Sequence, residues 1–198
     1  MASDKKISIT FDDGPNPPYT EQILKILEKK KIPATFFVCG KNIERYPQIL
    51  KKTRKEGHII GNHSYNHNPI TTRLGLSYGE IMRTQILIER LTGQKERYFR
   101  PPWGYMPFWL KRKLQKEGFK ILLYDITGKD WRWRIKAETI VDNVINHSGK
   151  GGIILLHDGK NVSEKFDRSQ TIAALPVIID TLTKQGFSFV PLSDIVGE

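Results

Sequence analysis

Residues 6–15 read Lys6-Ile7-Ser8-Ile9-Thr10-Phe11-Asp12-Asp13-Gly14-Pro15. Lys6-Ile7-Ser8-Ile9 alternates polar and apolar residues, the two-residue period of a β-strand, and the strand is expected over 6–11. Two adjacent carboxylates then stand at its end, in front of a Gly-Pro turn. Like charges side by side repel, and in a dry site each raises the other's pKa. Such a pair persists if a cation neutralises one member or if both point into water. Asp and Gly also favour turns for purely conformational reasons. A solvated turn therefore competes with a cation site, and the rest of the chain decides between them.

Outward from this stretch, strand and helix patterns alternate. Strands are expected at 6–11, 34–38, 58–61, 97–100, 119–124, 152–156 and 187–191, and helices at 19–31, 46–56, 78–92, 107–117, 137–147 and 170–185. Ser77-Tyr78-Gly79-Glu80 has the spacing of a capping box. Gly57, Gly93, Gly118, Gly149 and Gly186 fall where helices should stop, and Pro107 suits a first helical turn. Strands alternating with helices imply a parallel sheet, either open and doubly wound or closed as a barrel. Polar residues separate the two. Asp12 and Asp13 follow the first strand and His63 and His67 the third. Arg100 ends the fourth, Asp125 and Asp130 follow the fifth, and His157 ends the sixth. With strands ~4.8 Å apart, the first and sixth in sequential order would lie roughly 24 Å apart in a flat sheet. Closure brings them around one mouth, where barrel enzymes keep their chemistry. Seven strands predict an irregular or incompletely closed barrel in a single domain.

The chain has 198 residues, 38% of them hydrophobic and 10% aromatic, enough for a real core. No apolar run reaches the roughly 20 residues of a membrane span. No signal peptide is visible in the short polar start from Met1 to Lys6. Cys39 is the only cysteine, which rules out an intrachain disulfide and a thiolate cluster. Its setting, Thr35-Phe36-Phe37-Val38-Cys39, reads as strand core. The net charge of +11 is carried in clusters beside expected helices, such as Lys29-Lys30-Lys31. It attracts polyanions in general, and no nucleic-acid motif accompanies it.

His63-Ser64-Tyr65-Asn66-His67 spaces two imidazoles four residues apart, a separation that puts both on one helical face. Asn68-Pro69 limits any helix there to a single turn. His58 and His147 lack such polar company and read as structural. Two histidines with one carboxylate from Asp12-Asp13 make three protein ligands, the pattern of an open catalytic site. Zinc is the natural occupant, and the same set suits iron, cobalt or nickel. One Asp would ligate the cation, while its neighbour would take a proton from activated water. Ile153-Ile154-Leu155-Leu156-His157-Asp158-Gly159 ends a buried-type strand on a histidine suited to donating a proton near neutral pH. Arg100-Pro101-Pro102-Trp103-Gly104 is stiff, and Arg100 can hold a carboxylate through two parallel hydrogen bonds.

Taken in order, TFDDGP, HSYNH, RPPWG, the Asp-Trp after the fifth strand and LLHDG resemble the motifs of the polysaccharide deacetylase family. That is the NodB-homology domain, or carbohydrate esterase family 4, and the likeness runs over about 5–195. The resemblance implies an α/β fold, a distorted (β/α)7-type barrel. It implies hydrolysis of N-acetyl groups on polymeric or oligomeric N-acetylglucosamine, chitin-type or peptidoglycan. Asp12 would be the general base, Asp13, His63 and His67 the metal ligands, and His157 the general acid. Arg100 would hold Asp12, the Trp103 N–H would join in stabilising the oxyanion, and Asp130, in preference to Asp125, would orient His157. Trp103, Trp131 and Trp133 can stack on sugar faces. Where the family often carries a further acidic residue, this chain has Thr127. An O-deacetylase of acetylated xylan and an inactive carbohydrate-binding protein are the alternatives on the same scaffold. The expected partner is an acetylated amino-sugar polymer, met by a monomer that is secreted or held at the cell surface.

Overall fold

Strand β1, Lys5–Gly14, is the spine of the molecule. Ile7, Ile9 and Phe11 are fully buried and belong to one apolar cluster with residues of the helices that follow. Phe11 stacks on Phe36 with ring centroids 5.1 Å apart, and burying a side chain of that size is worth ~1.5–3 kcal/mol. The alternate residues Ser8, Thr10 and Asp12 fall on the opposite face, where a parallel barrel keeps its lumen.

The computed structural model describes residues 5–95, 97–163 and 166–197; the polar start at residues 1–4 lies outside them. After β1 come α1 (Tyr19–Lys30), β2 (Ala34–Val38), α2 (Gly40–Arg45), α3 (Pro47–Lys55), β3 (Ile59–Asn62), α4 (Pro69–Arg73), α5 (Tyr78–Thr92) and β4 (Arg97–Phe99). A 3₁₀ turn at Pro102–Gly104 leads to α6 (Phe108–Lys116), β5 (Phe119–Ile121), β6 (Ile126–Thr127) and α7 (Ala137–Ile145). The chain ends with β7 (Gly152–His157), α8 (Ser169–Lys184), β8 (Phe187–Phe189) and α9 (Ser193–Val196). Among the described residues no helix is long and apolar enough to cross a membrane.

The strands run parallel in the order β5-β4-β3-β2-β1-β7-β6, with β8 also pairing with β1. The sheet curls into a half-barrel, the distorted (β/α)7-type architecture expected. Closure is carried by a crossing segment and not by a strand pair. The Leu122 N–H still donates to Phe99 O at 2.8 Å on one edge, and three residues later the Asp125 N–H donates to Ile153 O at 3.0 Å on the other. The strand expected at 119–124 therefore breaks after Ile121 and resumes as β6.

Three local readings are corrected. The helix expected at 46–56 is preceded by a separate turn of helix, α2. Ser77 sits at the N-cap of α5 without a side-chain cap bond, so no capping box forms there. Gly57, Gly93, Gly118 and Gly186 follow their helices at positive φ, but Gly149 does not, and α7 already stops at Ile145. Gly151, just ahead of β7, has φ +79, and a Cβ there would meet Lys6 O at 2.2 Å. That neighbour is backbone and cannot swing aside. Gly151→Ala is expected to cost about 1–3 kcal/mol of stability, read as a lowered Tm in thermal unfolding. An unchanged Tm would contradict the close approach.

Candidate active site

The two carboxylates of the opening stretch would point to opposite faces of a regular strand. The register against β2 shifts between Asp12 and Gly14, and Asp13 stands at φ +79. This bulge turns Asp13 back toward the mouth, so both carboxylates face the same cavity. Bulges and left-handed non-glycine residues next to a site re-aim side chains in this way. Gly14 is required beside it, because a Cβ there would lie 2.1 Å from the Asp158 carboxylate.

Asp13 Oδ2 accepts from the Asn161 N–H at 2.8 Å, and its carbonyl accepts from the amides of Asn16 and Asn42, each at 2.8 Å. Asp13 Oδ1 is buried and has no hydrogen-bond partner. It faces His67 Nε2 at 3.2 Å and His63 Nε2 at 3.6 Å. One ligand atom from each of the three residues lies within 4.8 Å of the others. Donors around a tetrahedral zinc at ~2.1 Å sit ~3.4 Å apart, so the three residues fit a divalent cation. An orphaned carboxylate oxygen between two imidazole nitrogens is what such an ion would satisfy.

His63 Nδ1 lies 2.7 Å from Arg100 O. Donation to that carbonyl leaves Nε2 bare for a metal. Burial, reinforced by the neighbouring His67, lowers the His63 pKa to about 3 and keeps the ring neutral. The two histidines do not ride on a helix. Residues 63–67 form an irregular loop with Ser64 and His67 at positive φ (64° and 53°). Glu80 holds this loop by accepting from the Asn66 N–H at 3.0 Å. Asn68 caps α4 directly after it, accepting from the N–H groups of Ile70 and Thr71.

Arg100 is 1% exposed and reaches across the lumen from the end of β4. Its Nη1 donates to Asp12 Oδ1 at 2.7 Å and to Thr10 Oγ1 at 2.8 Å, and its Nη2 donates to Leu123 O at 2.9 Å. The two-pronged grip on a carboxylate is therefore not made. One guanidinium nitrogen positions Asp12, and the other ties the crossing segment to β1. Asp12 Oδ2 lies 3.6 Å from His63 Nε2, beside the ligand cluster.

His157 is the register partner of Asp12, since β7 pairs directly with β1. Paired positions on adjacent strands project to the same face. This strand order, and not barrel closure, brings the two together. His157 Nδ1 lies 2.8 Å from Asp130 Oδ1, and the His157 N–H donates to Asp130 Oδ2 at 2.9 Å. Asp125 instead accepts from the Ile153 N–H at the far end of β7. Burial pulls the His157 pKa down, but the charge and hydrogen bond of Asp130 outweigh it and raise the pKa above the usual value. Asp130 moves the opposite way, below the usual carboxylate range, because its attraction to His157 overcomes burial.

Trp103 stands at φ +62 in the 3₁₀ turn, 62% exposed, its ring edge-on to His67 at 5.4 Å. Trp131 meets His157 in the same manner at 5.4 Å. The cavity between them, about 320 Å³, is lined by Asp12, Asp13, His63 and His157 as well as these rings. Cys39 is buried, and burial followed by the charges of Asp13 and Asp12 raises its thiol pKa well above normal; it is core, as expected. His58 accepts from the Ala34 N–H and is lowered to about 4 by burial.

Several supporting residues carried no signal in sequence. Thr171 donates to Asp130 Oδ2 at 2.9 Å, and Arg168 Nη1 donates to Asp130 O at 2.8 Å. Asp158, directly after His157, is fully buried on the Thr20 hydroxyl at 2.6 Å, its pKa raised to about 7 by burial.

A family profile described as polysaccharide deacetylase matches residues 1–122. The chain is 38% identical to a peptidoglycan-N-acetylglucosamine deacetylase of Bacillus cereus, covering 98% of this chain and 89% of that protein. It is 40% identical to the peptidoglycan-N-acetylmuramic acid deacetylase PdaC of Bacillus subtilis, over 96% of this chain and 38% of that longer protein. The solved structure of PdaC superimposes with a TM-score of 0.84 at 38% identity, covering 98% of this chain and 90% of that one.

Proposed function

The chain belongs to the polysaccharide deacetylase family, and on that basis we propose that residues 5–195 form one domain that removes N-acetyl groups from an N-acetylglucosamine-containing glycan, with peptidoglycan or chitin-type oligomers as substrate. The observation that carries the reading is the pairing of Asp12 with His157 on adjacent strands beside Asp13, His63 and His67. A divalent cation on the latter three, zinc or its substitutes cobalt, nickel and iron, supplies Lewis-acid polarisation of the acetyl carbonyl and acidifies a water molecule.

The protein's own groups do the rest. Asp12, its Oδ1 held by Arg100, takes a proton from the attacking water through its other oxygen. The backbone N–H of Trp103 donates to the carbonyl oxygen as negative charge gathers there, a contribution of roughly 3–4 kcal/mol for a well-placed donor. His157 protonates the departing nitrogen, and Asp130 holds its ring and stabilises its charge. Amide and water become acetate and a free amine. One copy of the chain supplies every side chain of this site, which supports action as a monomer. With peptidoglycan as the substrate, the enzyme would work at the cell wall, outside the membrane.

Acetate release should be measured on chitin oligomers, peptidoglycan, poly-N-acetylglucosamine and acetylated xylan, with a chelator and then metal add-back. Release that stops with chelator and returns with metal is expected. Absence of release from the three N-acetylglucosamine glycans, release from acetylated xylan alone, or indifference to chelator overturns the reading.

The acid role also sets a pH dependence. His157 must be protonated, and its raised pKa keeps it so toward neutral pH; activity then falls as pH climbs through that pKa. In Asp130→Asn the attraction is gone and burial dominates, so the alkaline limb of kcat is expected to move to lower pH. A limb that stays in place would remove Asp130 from this role.

A further inference from the structure

Beside the catalytic cavity lies a second cleft of about 380 Å³ that the deacetylation chemistry leaves without a role. Trp131, Lys160 and Arg168 line both spaces, so the cleft continues the mouth on its His157 side. Its outer wall is Trp131-Arg132-Trp133-Arg134. The Arg132 N–H donates to Lys129 O at 3.1 Å, the Ile135 N–H donates to Arg132 O at 3.4 Å, and Lys129 and Arg134 both stand at φ +53. These turns leave all four side chains exposed. Trp133, at 85%, is the most exposed large apolar side chain among the described residues. Folding gains nothing from an indole held in water, whereas a ligand with an apolar face does.

Among the described residues the charges around it are unbalanced. Arg132, Arg134, Lys160 and Arg168 line the cleft together with Asp130 and Asp167. Both acids are engaged: Asp130 by His157 and Thr171, and Asp167 by the Ser169 N–H at 2.7 Å and the Tyr19 hydroxyl at 3.2 Å. Arg168 is engaged too, on the carbonyls of Gly159 and Asp130. Among the described residues the side chains of Arg132, Arg134 and Lys160 make no hydrogen bond or ion pair, and the Arg134 guanidinium lies 5.7 Å from the Trp133 ring. Three such cations share with an exposed ring the walls of a cleft of the size that small ligands occupy.

We propose that this cleft is a subsite for a carboxylate-bearing sugar next to the acetylated sugar in the catalytic cavity. Trp133 stacks on a pyranose face, and Arg132, Arg134 and Lys160 pair with the carboxylate, the geometry a guanidinium fork matches best. The proposal rests on the deacetylase reading. The carboxylate can be carried on a lactyl ether or directly on the ring of a uronic acid, and both offer the same recognition chemistry.

The test compares kcat/KM for acetate release on three oligomers of equal length. One is all N-acetylglucosamine, one alternates it with a lactyl-ether sugar, and one alternates it with a uronic acid. In wild-type enzyme the carboxylate-bearing oligomers should be preferred, and the preference should shrink at high salt. In Arg132→Ala/Arg134→Ala the ratio of carboxylate-bearing to neutral kcat/KM should fall about tenfold, mostly through KM. Arg132→Lys/Arg134→Lys should restore much of it, and Trp133→Ala should weaken all three substrates alike. The arm on which the ratio falls identifies the source of the carboxylate. A ratio that is the same in wild type and the double variant overturns the subsite alone. No acetate from any of the three oligomers overturns the deacetylase reading, and the subsite with it.

Discussion

Replacing Asp12 with Asn is expected to lower kcat for acetate release by about 10³-fold, within the range that positioned acid–base groups contribute, while the bound metal stays. The amide cannot take a proton from water, but its oxygen still accepts from Arg100 Nη1, which Thr10 Oγ1 also engages at 2.8 Å. The lumen therefore keeps its hydrogen bonds, and folding should survive. A drop of that size corresponds to about 4 kcal/mol of transition-state stabilisation. The measurement is paired: acetate release, and metal content of the same purified protein. Full activity in this variant would remove Asp12 from the base role. Loss of activity together with loss of metal would mean that Asp12 is a ligand instead, which its 3.6 Å approach to His63 Nε2 makes worth separating.

His63→Ala should behave differently and lose both. It deletes one of the two imidazoles that converge on the orphaned Asp13 Oδ1. Without the ion, the attacking water would lose its acidification, and acetate release should fall on the order of 10³-fold or more. Metal content should drop toward zero by elemental analysis, while far-UV circular dichroism stays as in wild type, because the side chain lines a mouth and not the packed core. His67→Ala should reproduce the result. A His63→Ala protein that keeps stoichiometric metal would show that the ion sits elsewhere. The contrast between the two predictions is itself informative: Asp12 and Asp13 are chemically identical neighbours, and only the bulge between Asp12 and Gly14 gives them different partners.

Much of this was legible without coordinates. The alternation of strand and helix patterns determined a parallel α/β architecture, because two-residue and 3.6-residue periods follow from backbone geometry alone. Residue chemistry singled out the candidate groups: paired carboxylates, two imidazoles in a short span, and a histidine at the end of a buried strand. What neighbours in sequence could not decide was which distant segments meet. The strand order places His157 directly beside Asp12, although the sequential reading set those strands far apart. Asp130 reaches His157 while Asp125 caps the opposite end of β7, though both follow the same expected strand. His63 and His67 converge through a left-handed loop tethered by Glu80 and not through a helical face. Arg168 and Thr171 support Asp130 from about 40 residues away in the chain. Local periodicity is set by a residue and its nearest neighbours. Register, strand order and the aim of a bulged side chain are set by burial and hydrogen bonding summed over the whole sheet, and those exist only once the chain has folded.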